Sequence, residues 1–238
     1  MKRKIPFIMP ILRSVLFIIS GLILLLITNQ TLTELGRWWP IICIVCNIIT
    51  IFILVIVCRY EEIKYIDLLN YKKGQSSFKY VFAITIIMLM VGVGSMVSGG
   101  IIIYGAMPTS SIQPLPVWVA VINVILLPLT IVFAEIPLYF GYSFKRIEEQ
   151  SKNKLFAAIY VIFFYALQHS FIPLLWDWKH ILFRFISFIP LLIVLSIIYI
   201  RRRNLIPLMI GHGVMDLATG IQILISSIFP AVFEMMNK

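Results

Sequence analysis

The feature that most constrains this chain is a series of seven long apolar stretches separated by short polar connections. A helix needs about 20 residues to cross a hydrocarbon core of roughly 30 Å, and the stretches reach that length. Backbone polar groups in lipid must bond within the protein, so each stretch is predicted to be a helix. The predicted spans are Pro10–Thr28, Pro40–Cys58, Tyr80–Tyr104, Val117–Phe144, Leu155–Leu175, Ile181–Ile200 and Leu205–Phe229.

The composition excludes a water-soluble globule. Hydrophobic residues make up 61% of the chain and charged residues 13%, whereas a soluble domain carries about 25% charged residues. We therefore predict an all-α polytopic membrane protein with about seven transmembrane helices. We expect a single integral domain over residues 1–238, located in the cell membrane as a multi-pass protein. The lipid bilayer is therefore an expected partner. The sequence leaves the oligomeric state open.

The net charge of +10 follows the predicted topology. Of the 20 lysines and arginines, 15 lie before the first span or in the connections after the second, fourth and sixth spans. Such alternation is the positive-inside pattern, which predicts a cytoplasmic N-terminus. Basic residues at the membrane surface also attract anionic lipid headgroups, so the charge does not indicate a nucleic-acid partner.

Four carboxylate or imidazole side chains lie inside the apolar stretches, where each costs several kcal/mol unless it is paired or functional. They are Glu135, His169, His212 and Asp216. At 1.5 Å per residue from the nearest basic connection, all four fall within ~8 Å of one another along the membrane normal. His212 and Asp216 are also i,i+4 neighbours on one helix face. The pattern predicts one site near the midplane. Arg13 is expected either to snorkel or to face a partner.

Two local features are predicted to shape the helices. Pro137 cannot donate to the carbonyl of Phe133, so it either kinks the chain and frees that acceptor for a water or substrate, or is an ordinary membrane-helix proline. Small residues over Val91–Gly100 are predicted to let neighbouring helices approach closely, and Gly99 and Gly100 are predicted to break the third span near its outer end.

Three kinds of chemistry suit a glutamate, two histidines and an aspartate at one depth. In hydrolysis, a carboxylate accepts a proton from water while imidazoles position the water and stabilise an oxyanion. The same four side chains are also acceptable ligands for a divalent metal such as zinc. In a small transporter they would couple movement to a proton or ion gradient. The residues alone leave these alternatives open.

Three short patterns carry these side chains in chain order. Glu135 begins EIPLYFG, Tyr165-x-x-x-His169 follows, and RRRNLIPLMIGHGVMD contains His212 and Asp216. Their order and spacing resemble the CAAX-prenyl protease and bacteriocin-processing family of intramembrane endopeptidases, also called CPBP or Abi proteins. The first hundred residues match that family only in being transmembrane.

The first pattern departs from the family motif, which is Glu-Glu-x-x-x-Arg. Ile136 stands in place of the second glutamate and Phe140 in place of the arginine, whereas Gly141 matches the glycine that commonly follows. Loss of these charges keeps an alternative open. That alternative is a non-catalytic relative acting as a bacteriocin immunity or regulatory membrane protein.

The resemblance implies a catalytic core over residues 117–229 and a membrane-associated peptide or protein as substrate. It implies that Glu135 and His169 activate water, and that His212 and Asp216 stabilise the oxyanion. Asp216 would do so either as the protonated acid or by orienting His212. Both a metal-dependent and a glutamate-dependent mechanism fit the family, and in the former the same four residues would be the ligands.

Overall fold

The computed structural model describes residues 2–106 and 112–236, and within these ranges the chain is helical with no strand. The helices are α1 (Ile5–Ile27), α2 (Leu32–Leu35), α3 (Trp39–Tyr60), α4 (Phe78–Tyr104), α5 (Val117–Ile136), α6 (Lys145–Ser151), α7 (Lys154–His169), α8 (Trp178–Arg202), α9 (Ile206–Ile228) and α10 (Pro230–Met236). A π-helix, Pro137–Phe144, joins α5 to α6, and short 3₁₀ turns lie at Lys2–Lys4, Gly36–Trp38 and Tyr65–Leu69.

Six of the described helices are long and apolar enough to span a membrane, and α7 is a shorter apolar helix of 16 residues. Large apolar side chains cover the outside of the bundle, including Leu26 (83% exposed), Phe78 (82%) and Met90 (71%). Such a surface is stable against lipid and not against water. The prediction of an all-α, multi-pass membrane protein is therefore confirmed.

The predicted fifth span is wrong in its end point. Helix α7 stops at His169, whereas the sequence predicted a helix as far as Leu175. The chain turns directly after His169 and then reaches Pro173, which has no backbone N–H to donate to a helix. His169 therefore lies at a helix end.

The predicted break at Gly99 and Gly100 is also wrong, because α4 is continuous to Tyr104. A Cβ atom on Gly99 would lie 2.0 Å from Ser187 Oγ, so this glycine allows α4 and α8 to approach closely. The helix instead ends at Gly105, whose φ of 75° is the left-handed conformation that glycine adopts at low cost.

Pro137 changes the helix type. The α-helical part of the span ends at Ile136, and the next eight residues form the wider π-helix. The carbonyl of Phe133, which Pro137 cannot serve, accepts a hydrogen bond from the hydroxyl of Tyr65. This acceptor is therefore used by the protein itself, contrary to its predicted use by water or substrate.

Close contact between α5 and α9 sets the register of the bundle. A Cβ atom on Gly220 would lie 3.1 Å from Val124 Cα, and one on Gly213 would lie 2.9 Å from Val132 Cγ1. The two helices run antiparallel, because moving back along α9 corresponds to moving forward along α5. One turn beyond Val132 this register places Glu135 beside His212.

Candidate active site

Glu135 is fully buried, and a membrane-embedded arginine neutralises it. Arg13 Nη2, on α1, donates to Glu135 Oε1 at 2.7 Å, and neither side chain is exposed. The guanidinium also donates to Gln168 Oε1 at 2.6 Å, and to Asn47 and Thr50 on α3. An ion pair that is also hydrogen-bonded to its surroundings avoids much of the cost of a lone charge in lipid.

The two oxygens of Glu135 differ in their surroundings. Oε1 accepts from Arg13 and from Gln168 Nε2, the latter at 2.7 Å. Oε2 accepts from the hydroxyl of Tyr165 at 2.8 Å and lies 3.2 Å from His212 Nε2. The first oxygen is thus held by the protein scaffold, whereas the second faces the histidine.

Helix α7 supplies three neighbours of this carboxylate from one face. Tyr165, Gln168 and His169 are spaced by three and four residues, which places them on the same side of a helix. The ring of Tyr139 in the π-helix stacks on Tyr165 with centroids 4.1 Å apart, and its hydroxyl donates to Gln168 Oε1 at 2.9 Å. The π-helix therefore positions the residues that position Glu135.

His212 lies between two carboxylates. Its Nε2 is 3.2 Å from Glu135 Oε2 and 3.4 Å from Asp216 Oδ2. Neither of these contacts is a hydrogen bond, and within the described ranges both ring nitrogens and Asp216 Oδ2 lack a hydrogen-bond partner. Buried polar atoms without partners are uncommon in proteins, so these atoms are candidates to hydrogen-bond a water or a substrate oxygen.

His169 is held between aromatic rings. Its imidazole stacks on Phe188 of α8 at 3.5 Å between centroids, and on Tyr165 at 5.6 Å. Its Nε2 lies 3.4 Å from Gln168 Nε2, the same amide nitrogen that donates to Glu135. Gln168 therefore connects the histidine and the glutamate.

A cavity of about 490 Å³ joins these groups, and Glu135, His169, His212 and Asp216 all line it. Its other walls come from α3, α4 and α8, and include Gly92, Met96, Arg184, Ser187 and Phe188. This volume lies in the range that holds a small ligand or a few peptide residues. The structure thus brings the four sequence-predicted residues to one cavity.

Aromatic side chains close the bundle at the end that carries the basic loops. Their exposed fractions are between 0 and 2%, and the cluster consists of Tyr139, Phe140, Tyr142, Phe144, Tyr165 and Tyr199. The cavity is lined by the halves of α4, α8 and α9 that point to the opposite end. The site therefore has a closed side and an open side.

The side chains do not fit a resident metal ion as they are arranged. Within the described residues, no group of three or more histidine, cysteine, aspartate or glutamate side chains could hold one. Both oxygens of Glu135 already accept hydrogen bonds from protein donors, and the Arg13 cation lies 2.7 Å from one of them. A second cation at that carboxylate would be repelled.

A comparison with protein families finds a match to Rce1-like, described as type II CAAX prenyl endopeptidase Rce1-like, over residues 113–218. The matched segment is similar to this family and makes up less than half of the chain. It contains the π-helix and all four residues of the candidate site. Searches of curated proteins and of solved structures found no match.

The match confirms the resemblance to CAAX-type intramembrane proteases. Its description names a protease, so it does not favour the alternative of an immunity or regulatory protein. It identifies neither the substrate nor the catalytic residues.

The departures of the first motif have a structural counterpart. Phe140, which replaces the family arginine, packs in the aromatic cluster with its ring centroid 5.5 Å from that of Tyr199. Ile136, which replaces the second glutamate, is fully buried. The cation near Glu135 comes instead from α1, a helix outside the matched segment.

Sequence reasoning missed several residues of this site. Gln168 is a polar side chain in an apolar stretch, a signal that could have been used, and it contacts Arg13, Glu135 and His169. Arg13 was expected either to snorkel or to face a partner, and the structure shows the partner. Arg184, a basic residue within the predicted span Ile181–Ile200, was not assigned to the site, yet it lines the cavity.

Proposed function

We propose that this protein is an intramembrane endopeptidase that cleaves a membrane-associated peptide or protein with water activated by Glu135 and His169. One observation carries the proposal: a buried carboxylate has one oxygen tied to protein donors and the other directed toward an unpartnered histidine in a cavity. The match to a family of CAAX prenyl endopeptidases supports the reaction class.

In the proposed reaction, the cavity holds a water between Glu135 Oε2 and the scissile carbonyl. His169 orients this water. Glu135 accepts a proton from the water while the water oxygen bonds to the carbonyl carbon. The amide C–N bond then breaks, and the proton held by Glu135 passes to the leaving amine. One water is consumed, and the products are a carboxylic acid and an amine.

His212 is proposed to stabilise the tetrahedral oxyanion, because its unpartnered nitrogens face the cavity. Asp216 is proposed to orient His212, since its Oδ2 lies 3.4 Å from Nε2. An ionised aspartate in direct contact with the oxyanion would repel it, so the orienting role suits this geometry better. The catalytic core proposed for residues 117–229 then functions within a single domain of 1–238, to which α1 contributes Arg13.

The test uses reconstituted protein and a fluorogenic S-farnesylated peptide ending in Cys-a-a-X, a probe suggested by the family description. Loss of a general base is expected to lower kcat about 10²- to 10⁴-fold in Glu135→Gln. His169→Ala is expected to show a comparable loss. Glu149→Gln makes the same chemical change at an exposed carboxylate outside the cavity, so it is expected to cleave at the wild-type rate.

A folding defect must be separated from a catalytic one, because Glu135→Gln leaves Arg13 without its anion. Each variant is therefore compared with wild type by size-exclusion chromatography and thermal unfolding in detergent. Asp216→Asn is a second variant with less risk to folding, because Oδ2 of Asp216 makes no hydrogen bond that the change could remove. Wild-type cleavage by both folded Glu135→Gln and folded His169→Ala would refute the assignment.

A further inference from the structure

The side-chain amide of Gln168 on α7 is fully buried, and its surroundings allow it one orientation. Its Oε1 accepts from Arg13 Nε at 2.6 Å and from the hydroxyl of Tyr139 at 2.9 Å. Its Nε2 donates to Glu135 Oε1 at 2.7 Å. Exchanging the amide oxygen and nitrogen would set the nitrogen against a guanidinium and the oxygen against a carboxylate, so the network fixes the amide.

The same amide nitrogen also reaches the ring of His169. Gln168 Nε2 lies 3.4 Å from His169 Nε2, and an amide nitrogen has two hydrogens, one for each of its two neighbours. An amide nitrogen donates and does not accept, so His169 Nε2 is the acceptor of this contact. A protonated imidazole would instead place N–H against N–H. The arrangement therefore suits a neutral ring that carries its proton on Nδ1.

The other neighbours of His169 hold the ring without choosing between its two nitrogens. Phe188 and Tyr165 stack on it, with ring centroids 3.5 and 5.6 Å away. Arg184 Nε donates to the backbone oxygen of His169 and not to its ring. Among the described residues, Gln168 is therefore the group that sets which ring nitrogen carries the proton.

We propose that Gln168 is a positioning residue that fixes His169 as the Nδ1–H tautomer, so that His169 presents a donor to the water and does not act as its base. This inference rests on the proposed hydrolytic function and gives the two water-activating residues different tasks. Because Gln168 engages the lone pair on Nε2, Nδ1–H is the ring group that His169 offers to the cavity. This N–H donates to one lone pair of the water, while Glu135 accepts a water proton. The second lone pair of the water is left for the carbonyl carbon.

The experiment observes the tautomer by NMR of reconstituted protein labelled with ¹³C,¹⁵N-histidine, in which each ring nitrogen is identified through the carbons that it bonds. The chain has three histidines, so the signals lost in His169→Gln and His180→Gln assign all of them. In wild type, His169 is expected to show a protonated Nδ1 and an unprotonated Nε2. In Gln168→Met, which removes the amide, the proton is expected to distribute over both nitrogens.

Gln150→Met is the matched control, because it makes the same chemical change at an exposed position outside the cavity, and the wild-type tautomer is expected. A protonated Nε2 on His169 in wild type would overturn the proposal, and that measurement does not depend on the folding of any variant. An unchanged tautomer in Gln168→Met that elutes and unfolds like wild type would overturn it as well, since another group would then set the proton.

Cleavage of the S-farnesylated fluorogenic peptide gives a second readout. Gln168→Met is expected to lower kcat about ten- to a hundredfold with KM near the wild-type value, because the amide positions a group that holds the water and does not itself bind substrate. A raised KM with unchanged kcat would contradict this role. If wild type does not cleave the peptide, the proposed hydrolytic function fails on this probe, and the NMR measurement still decides the tautomer.

Discussion

The two membrane-embedded arginines near the site have opposite surroundings, and of the two only Arg184 lines the cavity. Arg13 is fully buried on the closed side, with Glu135 as counter-charge and amide and hydroxyl acceptors around it. Arg184 is on the open side, with one backbone acceptor and an aromatic ring. The comparison separates two situations for a cation in the membrane. Arg13 supports the structure, and the protein supplies its counter-charge. Arg184 keeps free donors within the described ranges, so a ligand can supply the anion.

The largest expected effect comes from removing the arginine of the closed side. Arg13→Met leaves Glu135 buried without its cation, and breaking a buried pair in this way costs about 3–5 kcal/mol of folding stability. Arg184→Met removes an unpaired charge, so its cost is expected to be less than about 1 kcal/mol. Thermal or denaturant unfolding in detergent measures both.

A double variant sharpens this comparison. Arg13→Met combined with Glu135→Gln removes both charges, so part of the lost stability is expected to return. Equal destabilisation by Arg13→Met and Arg184→Met would remove the distinction between the two arginines. Absence of any recovery in the double variant would show that the loss comes from packing rather than from charge.

The hydroxyl that binds Glu135 Oε2 is expected to give the next largest effect. Tyr165→Phe removes a 2.8 Å hydrogen bond to a buried carboxylate, which is expected to cost about 1.5–3 kcal/mol. The ring and its stacking on Tyr139 stay in place. Tyr71→Phe makes the same change at an exposed tyrosine and is expected to leave the unfolding transition unchanged. Coincident transitions for the two variants would show that this hydrogen bond contributes little.

Two glycines test how rigid the closed and open sides are. A Cβ atom on Gly141 would lie 2.7 Å from the backbone oxygen of Leu68, and overpacking of this kind costs about 1–3 kcal/mol. A Cβ atom on Gly92 would lie 2.7 Å from the terminal methyl of Met215, which can move into the cavity. Gly141→Ala is therefore expected to unfold at a lower temperature than Gly92→Ala, and the reverse order would contradict the assignment of a rigid closed side.

The sequence predicted the parts of the site that depend on distance along a helix. Counting residues from the basic loops placed Glu135, His169, His212 and Asp216 at similar depth, because the rise of a membrane helix is regular. It could not predict the pairing of Arg13 with Glu135, since the two are 122 residues apart and which helix packs against which is a tertiary property.

The errors in local structure have a related cause. The close helix approach predicted for the small residues around Gly99 is confirmed by the contact with Ser187 on α8, whereas the predicted break in α4 is wrong. One of the two expectations for Pro137 was a free acceptor at Phe133, but Tyr65, which is far away in the sequence, donates to that carbonyl. In both cases the outcome depended on a contacting segment that is distant in the sequence, and a local sequence pattern does not contain that information.

The aromatic cluster at the closed end affects how substrate enters the site and how products leave it. Since those rings are packed with almost no exposed surface, they block passage between the cavity and the end of the bundle that carries the basic loops. For hydrolysis carried out there, water, the uncleaved chain and both fragments would all have to pass on the other sides of the cavity. Turnover would then depend on how quickly the fragments leave, and a fragment that lingers would obstruct its successor.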